Sequence, residues 1–479
     1  MTDINLGVGA ANSATGGYDI DNSLKLESDN SENLYRNLNA STSTTKFTIS
    51  MWFKRTELGG SMLLYNRGVA GNESVLLITS TETNDALQVD IGASSTNSRS
   101  YTSQLLRDTS AWYHVVLAVD TTQSTATDRF KLYLNGNLIT DFASRNNPAQ
   151  NFAMEVSSAK HRHGAYNDTE GYAGYNGYIA ECHYVDGSQL DASSFGETDN
   201  DLGIWKPKQY TGSYGTGGYY LDFSDGSDLG ANAKGDDVNF TLRNIAAADQ
   251  ATDTPTNNFC TLNPNFIAYY YKAPTDGGTY MPMDGINQYG AYAGTFGLTK
   301  GKWYYETYVD MRDSTYGLTV LVGIHTLEGN YHANNFMVDN TNQNSTAAYY
   351  LHGGHYYSWD SGARVVDSTL GGVGSAQVGQ FIGIALNLDD NQISFYINGS
   401  AVTNGTNLAL NDAGDDIAAG SFAIPSFSSY TNNHTVNFGG YTRATISSAQ
   451  SDANGYGTFE HQPPSGYYAI CSKNLAEYG

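Results

Sequence analysis

The feature that most limits this chain is the period of its apolar residues. They recur every second position in short runs, and no long window repeats at 3.6 residues. A period of two places alternate side chains on opposite faces of a strand, so such runs make half-buried sheet, not helix. Phe47-Thr48-Ile49-Ser50-Met51-Trp52-Phe53 is one such run and Ala86-Leu87-Gln88-Val89-Asp90-Ile91 another. Trp112-Tyr113-His114-Val115-Val116-Leu117-Ala118-Val119-Asp120 leads through a polar turn at 121–128 into Phe130-Lys131-Leu132-Tyr133-Leu134 and then Asn135-Gly136. Asn-Gly suits a tight hairpin turn because both residues tolerate positive φ. A second block repeats this grammar. Phe381 to Asp389 is an apolar strand, Asp390-Asn391 a turn, Gln392-Ile393-Ser394-Phe395-Tyr396-Ile397 the return, and Asn398-Gly399 the close. The reading is all-β, with two antiparallel β-sandwiches in tandem. The repeat is far too long for a solenoid. Between the blocks, residues 205–264 accumulate Gly, Asp and Asn and read as a connector with a few short strands.

Composition narrows the partners. The 479 residues carry 24 Lys plus Arg against 48 Asp plus Glu, a formal net charge of −24. A nucleic-acid binder needs a basic face that displaces counterions from phosphate, so nucleic acid is not an expected partner. No run approaches the ~18 apolar residues of a membrane helix, and the first residues lack the basic start and apolar run of a secretory signal. The three cysteines, Cys182, Cys260 and Cys471, are far apart and form no metal knuckle. Synthesis in a cytoplasm without export is the expectation.

Particular residues carry a resemblance. The run from Phe47 to Phe53, Trp112-Tyr113-His114-Val115, Lys131 to Gly136 and Gly177-Tyr178-Ile179-Ala180-Glu181 resemble, in order and spacing, the laminin-G-like, concanavalin-type jelly roll. Gly301-Lys302-Trp303-Tyr304-Tyr305-Glu306, the hairpin from Gly379 to Gly399 and Val436-Asn437-Phe438-Gly439 resemble a SPRY domain, another concanavalin-type sandwich. The stretch from Asp253 to Pro264, and Pro463-Pro464-Ser465-Gly466-Tyr467-Tyr468-Ala469-Ile470-Cys471, resemble segments of structural proteins of marine tailed bacteriophages that join these two sandwich types. The resemblance implies a jelly roll at 1–204, the connector at 205–264, a SPRY-like sandwich at 265–446 and a C-terminal extension at 447–479. It also implies a non-enzymatic virion component: a tail fibre, an appendage or a capsid decoration, made in the host cytoplasm and exposed for host attachment. Its expected partners are other virion proteins and host-surface polysaccharide. An assembly adaptor that binds no glycan and a polysaccharide depolymerase are the alternatives, and oligomeric state stays open.

Chemistry is weighed against packing residue by residue. Glycoside hydrolysis needs two carboxylates ~5–5.5 or ~6.5–9.5 Å apart. The nearest candidate, Glu197-Thr198-Asp199-Asn200-Asp201, sits in turn-like sequence and reads as a solvated loop. His161-Arg162-His163, with His183, and His352-Gly353-Gly354-His355 lack the companion ligands of a zinc site and read as surface or sugar-stacking histidines. Calcium is the candidate metal, because related jelly rolls carry it in loops and hard oxygens suit it. Asp120 with Asp128, and Asp222, Asp225 and Asp228, are the candidate ligands, although Asx turns explain them equally well. The sharpest binding signal is tyrosine, 37 residues in all. Tyr349, His355, Tyr356, Tyr357 and Trp359 are the candidate glycan-binding set, since aromatic faces bind sugar C–H surfaces. Tyr214, Tyr219 and Tyr220 form a second group. Core filling is the competing reading for tyrosines that alternate on a strand.

Overall fold

The strand Lys46–Arg55 shows how the first sandwich is built. Phe47, Ile49, Met51 and Phe53 point into a core with Leu24, Leu77, Val89, Val115, Leu117, Val119 and Ile179. Each such side chain contributes about 1.5–3 kcal/mol by leaving water. In the computed structural model, the described residues are 17–60, 62–69, 72–80, 85–92, 99–156, 159–166, 174–235, 238–269, 272–283, 289–310, 320–326, 346–350, 354–360, 363–370, 378–410 and 422–479. They fall into two units, one spanning Ala14–Thr256 and the other including Asn257–Gly479. Each unit is a pair of packed sheets, so the tandem β-sandwich architecture holds. The single α-helix among the described residues is Ser472–Tyr478.

In the first unit one sheet runs Asn137–Leu138, Phe130–Leu134, Trp112–Asp120, Lys46–Arg55, Gly177–Asp186, Ser23–Leu26, Gln250–Ala251, with Tyr219–Leu221 beside Gly177–Asp186. The other runs Phe142–Ser144, Arg99–Leu105, Ala86–Ile91, Asn72–Ser80, Met62–Val69, Lys160–His163, Asn33–Asn37, Thr241–Arg243. The stretch expected as a connector is therefore mostly part of this unit. Tyr219–Leu221, Thr241–Arg243 and Gln250–Ala251 each pair with a strand of the sandwich. The physical reason lies on the sheet's outer face. All nine residues of Trp112–Asp120 and all ten of Gly177–Asp186 are buried, so something must cover the side facing away from the core. Residues beyond 188 do this, placing Leu190, Ala192, Phe195, Trp205, Tyr210 and Tyr214 against Val116 and Val185.

Both predicted Asn-Gly turns form. Asn135 and Gly136 have φ of 46° and 80°, and Asn398 and Gly399 have 46° and 74°, the pattern of a type I′ hairpin. Gly136 has a second duty: a Cβ there would lie 2.4 Å from the Trp205 ring. Gly136→Ala is expected to cost about 1–3 kcal/mol through this clash, seen as a lower thermal midpoint with strand content unchanged.

In the second unit Leu262–Tyr269, Tyr289–Gly294, Ala423–Tyr430, Val320–Thr326, Thr346–Tyr350, His355–Asp360 and Ala363–Thr369 form one sheet. Tyr280–Met281, His434–Asn437, Lys302–Val309, Phe381–Asn387, Gln392–Ile397 and Ser400–Ala401 form the core of the other. Trp303, Tyr305, Ile384 and Phe395 from one sheet meet Val322, Ile324 and Phe427 from the other. The expected C-terminal extension is likewise built in. Tyr468–Ala469 pairs in parallel with Trp303 and Tyr304, and Cys260 N–H donates to the Ile470 carbonyl at 3.0 Å.

Candidate functional site

The most distinctive polar site in the first unit begins with a bulge. Strand Gly177–Asp186 pairs with Lys46–Arg55 in regular register up to Ala180, then shifts before His183. Glu181 takes the left-handed conformation, φ 49°. Simple alternation after Ile179 would aim Glu181 at the core; one extra residue reverses the faces. Cys182 and Tyr184 then point inward, and Glu181 joins His183 on the covered outer side. A non-glycine residue held at positive φ costs of order 1–3 kcal/mol, and such strain clusters at functional sites.

Three tyrosines close around this carboxylate. Tyr220 donates its hydroxyl to Glu181 Oε1 at 2.6 Å and Tyr18 donates to Oε2 at 3.0 Å. The two phenol oxygens are 2.9 Å apart. His183 Nε2 lies 3.5 Å from Glu181 Oε2, and its Nδ1 is 2.9 Å from the Tyr214 hydroxyl. The His183 ring stacks on Tyr220, centroids 4.4 Å apart, and lies nearly parallel to Tyr214. Glu181 and His183 are buried, whereas Tyr18, Tyr214 and Tyr220 are half-buried. Burial, and after it the Glu181 charge, push all three phenols well above their ordinary value. They remain hydroxyl donors at any physiological pH. The result is a set of partly exposed aromatic rings with a fixed carboxylate beneath them.

The neighbouring outer-face residues do not make a nucleophile. Ser50 Oγ is 2.9 Å from His114 Nε2, a spacing that resembles a serine–histidine dyad. However, Trp205 Nε1–H donates to His114 Nδ1 at 3.0 Å. An imidazole that accepts at Nδ1 carries its proton on Nε2 and donates to Ser50, so it cannot take the serine proton. Burial holds His114 down at about 3, which keeps it neutral.

The other candidate residues are placed as follows. Glu197 and Asp199 lie beside Lys206, 3.6 and 3.2 Å away, and Asp199 Oδ1 accepts the N–H groups of Asp201 and Leu202; this is a turn. His161 and His163 are not surface groups. Both are buried inside the first sandwich, bonded to the hydroxyls of Tyr65 and Tyr219 at 2.7 and 2.8 Å, and burial lowers both. His352 lies outside the described residues. Among the described residues no group of three His, Cys, Asp or Glu side chains gathers as metal ligands, and the aspartates expected as calcium ligands accept hydrogen bonds locally. Asp120 accepts from Thr122 and Gln123 and pairs with Lys46 at 3.0 Å. Asp222, Asp225 and Asp228 accept the N–H of Ser224, Ser227 and Gly230, each two residues on. These are Asx turns. Asp128 ends the short 3-10 turn Ala126–Asp128.

In the second unit Tyr356 is a correction. It is fully buried, its ring meets Phe395 and its hydroxyl donates to the Ala409 carbonyl at 2.6 Å, so it fills the core. His355 is half-buried. Tyr349 pairs with Tyr356, Ala348 with Tyr357 and Thr346 with Trp359; the side chains of Tyr349, Tyr357 and Trp359 lie outside the described residues. Of the second tyrosine group, Tyr219 is core, while Tyr214 and Tyr220 belong to the Glu181 site. Glu181 and Tyr18 carried no signal in the sequence: the bulge that turns one to the outer face and the fold that delivers the other are not periodic features.

Comparison with known families agrees with this architecture. Residues 27–193 match the concanavalin A-like lectin/glucanases superfamily in its laminin G form, and residues 302–440 match the SPRY domain. No curated protein sequence matches. Among solved structures, the SPRY domain of human HERC1 is 16% identical, covering 36% of this chain and 96% of its own, with a TM-score of 0.26. A heptameric SAP-like pentraxin from Limulus polyphemus is 13% identical, covering 36% and 80%, at 0.29. A candidate carbohydrate binding protein from Bacteroides ovatus is 17% identical, covering 47% and 59%, at 0.34. Tyr18, Tyr214 and Tyr220 lie outside the matched stretch, whereas Glu181 and His183 lie within it. No helix of the described residues is long and apolar enough to cross a membrane. The chain carries a laminin-G-like, concanavalin A-type sandwich followed by a SPRY sandwich.

Proposed function

We propose that this chain is a non-catalytic carbohydrate-binding component of a bacteriophage virion, on the tail or capsid, which engages host-surface glycans through its first sandwich. The observation that carries the glycan reading is the half-buried set Tyr18, Tyr214 and Tyr220 around the buried Glu181 carboxylate. Aromatic faces pack against sugar C–H surfaces, and the phenol oxygens that Glu181 fixes in place can accept from sugar hydroxyls. The virion reading rests on the segments at 253–264 and 463–471 and their resemblance to phage structural proteins. Each site is weak alone, and many copies on one particle raise the avidity.

A glycan array probed with the full chain, multimerised on beads, tests the first part. Binding is expected, and Tyr214→Ala with Tyr220→Ala is expected to weaken it at least about tenfold, ~1.4 kcal/mol. Absence of binding at high valency would favour the assembly-adaptor reading. Incubation with host exopolysaccharide is expected to leave its chain length unchanged; shortening would favour a depolymerase. Tyr349, His355, Tyr357 and Trp359 are proposed as a second site, tested by Tyr357→Ala and Trp359→Ala on the same array. Locating the chain's density in intact particles tests the virion assignment, and its absence from them would sink it.

A further inference from the structure

A separate cluster joins the two ends of the first unit. Strand Ser23–Leu26 pairs with Gln250–Ala251 through Leu24 opposite Gln250. One register step on, Lys25 stands beside Asp249. Lys25 Nζ lies 2.8 Å from Asp249 Oδ1 and 2.9 Å from both oxygens of Glu32. All three are buried: Lys25 is 1% exposed, Glu32 3% and Asp249 8%. Other groups hold both acids in place. Glu32 Oε2 accepts the Glu27 N–H at 2.8 Å, Glu32 Oε1 accepts Asn30 Nδ2–H at 3.0 Å, and Asp249 Oδ2 accepts the Ala246 N–H at 2.8 Å. One ammonium cannot neutralise two carboxylates in a site closed to water. Burial, with the Asp249 charge adding to it, pushes Glu32 above its ordinary value.

We propose that Lys25 and Asp249 join in an intramolecular amide bond, with Glu32 as the proton shuttle. The reacting state carries one proton more than the three charged groups: with that proton on Glu32 and another moved from Nζ to the Asp249 carboxylate, a neutral amine stands beside a neutral acid. The Nζ lone pair attacks Asp249 Cγ, forming the C–N bond while the carbonyl electrons move to oxygen. The nitrogen proton and the proton on Glu32 exchange through the carboxyl, one arriving from Nζ as the other passes to the departing hydroxyl. The tetrahedral carbon re-forms its carbonyl, the C–O bond breaks and one water leaves. Nothing is oxidised or reduced, and Glu32 ends as it began. Fixed reactants at contact distance supply the entropic advantage that makes amide formation feasible without activation.

The same face holds an internal comparison. Lys54 Nζ lies 2.7 Å from Asp253 Oδ2 and is equally buried. There the other carboxylate oxygen accepts Trp112 Nε1–H at 2.9 Å. An indole donor favours the charged carboxylate and is far too weak an acid to protonate a leaving group. This pair should stay an ion pair.

Intact mass spectrometry of the purified full chain, followed by peptide mapping, tests the proposal. The wild-type chain is expected one water lighter than its sequence, with a branched peptide linking Lys25 to Asp249 and none linking Lys54 to Asp253. A succinimide at an Asp-Gly step also loses water, so the branched peptide is the deciding readout. Lys25→Arg keeps the charge but not the nucleophile, and Glu32→Gln keeps the shape but not the shuttle. Both should return to full sequence mass while circular dichroism shows the same strand content. A folded wild-type chain without the branched peptide overturns the bond, and a Glu32→Gln chain that still forms it overturns the shuttle.

Discussion

Asp253→Ala is expected to destabilise the first unit by about 3–5 kcal/mol, because it strands the Lys54 ammonium in a site closed to water. Lys54 and Asp253 are 0% and 1% exposed in their side chains and 2.7 Å apart. The same substitution removes the acceptor of Trp112 Nε1–H, while the main-chain carbonyl of residue 253, which accepts from Ser23 Oγ at 2.6 Å, stays in place. Domains are stable by only about 5–15 kcal/mol, so the loss is a large fraction of the total. Hydrogen exchange on the full chain provides the measurement. Peptides from Lys46–Arg55 and Trp112–Asp120 should lose protection while those from Phe381–Asn387 keep theirs. The double variant Lys54→Met, Asp253→Leu should recover most of the loss, because replacing both charges by apolar groups is often neutral. Equal protection in Asp253→Ala and wild type would show that the pair is solvated and unimportant.

That ion pair also shows where the sequence was legible and where it was not. Phe47, Ile49, Met51 and Phe53 announce their strand because every second side chain enters the core. The hairpin turns announce themselves because Asn and Gly tolerate positive φ. Tandem sandwiches follow from these local rules. The role of residues 205–256 does not, because three-residue strands such as Tyr219–Leu221 have no room for a period and their partners are far away in the chain. One sign was present: Val115-Val116-Leu117-Ala118-Val119 is apolar without alternation, as expected of a strand covered on both faces. The tyrosines were harder. Tyr219 fills the core and Tyr220 lines the outer site, one residue apart, and composition cannot separate them. Glu181 is set by a bulge that shifts register by one, a tertiary outcome with no local signature. The aspartates at 222, 225 and 228 read equally as ligands or as Asx turns, and only the direction of their hydrogen bonds separates the two.

The second unit contains a buried acid whose contribution to stability should fall as pH rises. Glu306 is 0% exposed on the outer face of its sheet. Its Oε1 accepts the His461 N–H at 2.9 Å and the Tyr304 hydroxyl at 3.0 Å, and its Oε2 accepts the Glu460 N–H at 2.9 Å and Asn437 Nδ2–H at 3.2 Å. It thus ties the C-terminal segment to the sandwich. Burial outweighs these four donors and pushes the carboxyl up to about 7. An acid held above its unfolded value binds its proton more tightly when folded. Its contribution is therefore fully present below the ordinary glutamate range and is lost as pH rises through about 7. Urea midpoints of the second unit should fall across that interval and level off above it. Glu306→Gln should remove this component of the slope. It should also lower stability most at acid pH, by about 2–4 kcal/mol, since an amide NH₂ faces two of the four donors and leaves them unsatisfied, with a smaller difference above about pH 7. Burial raises the Asp310 carboxyl as well, so the difference between variant and wild type is the quantity to compare. A variant with the wild-type slope would place the titration elsewhere, and a variant of wild-type stability would mean that the C-terminal segment is held by Phe259, Tyr304 and Phe459 packing alone.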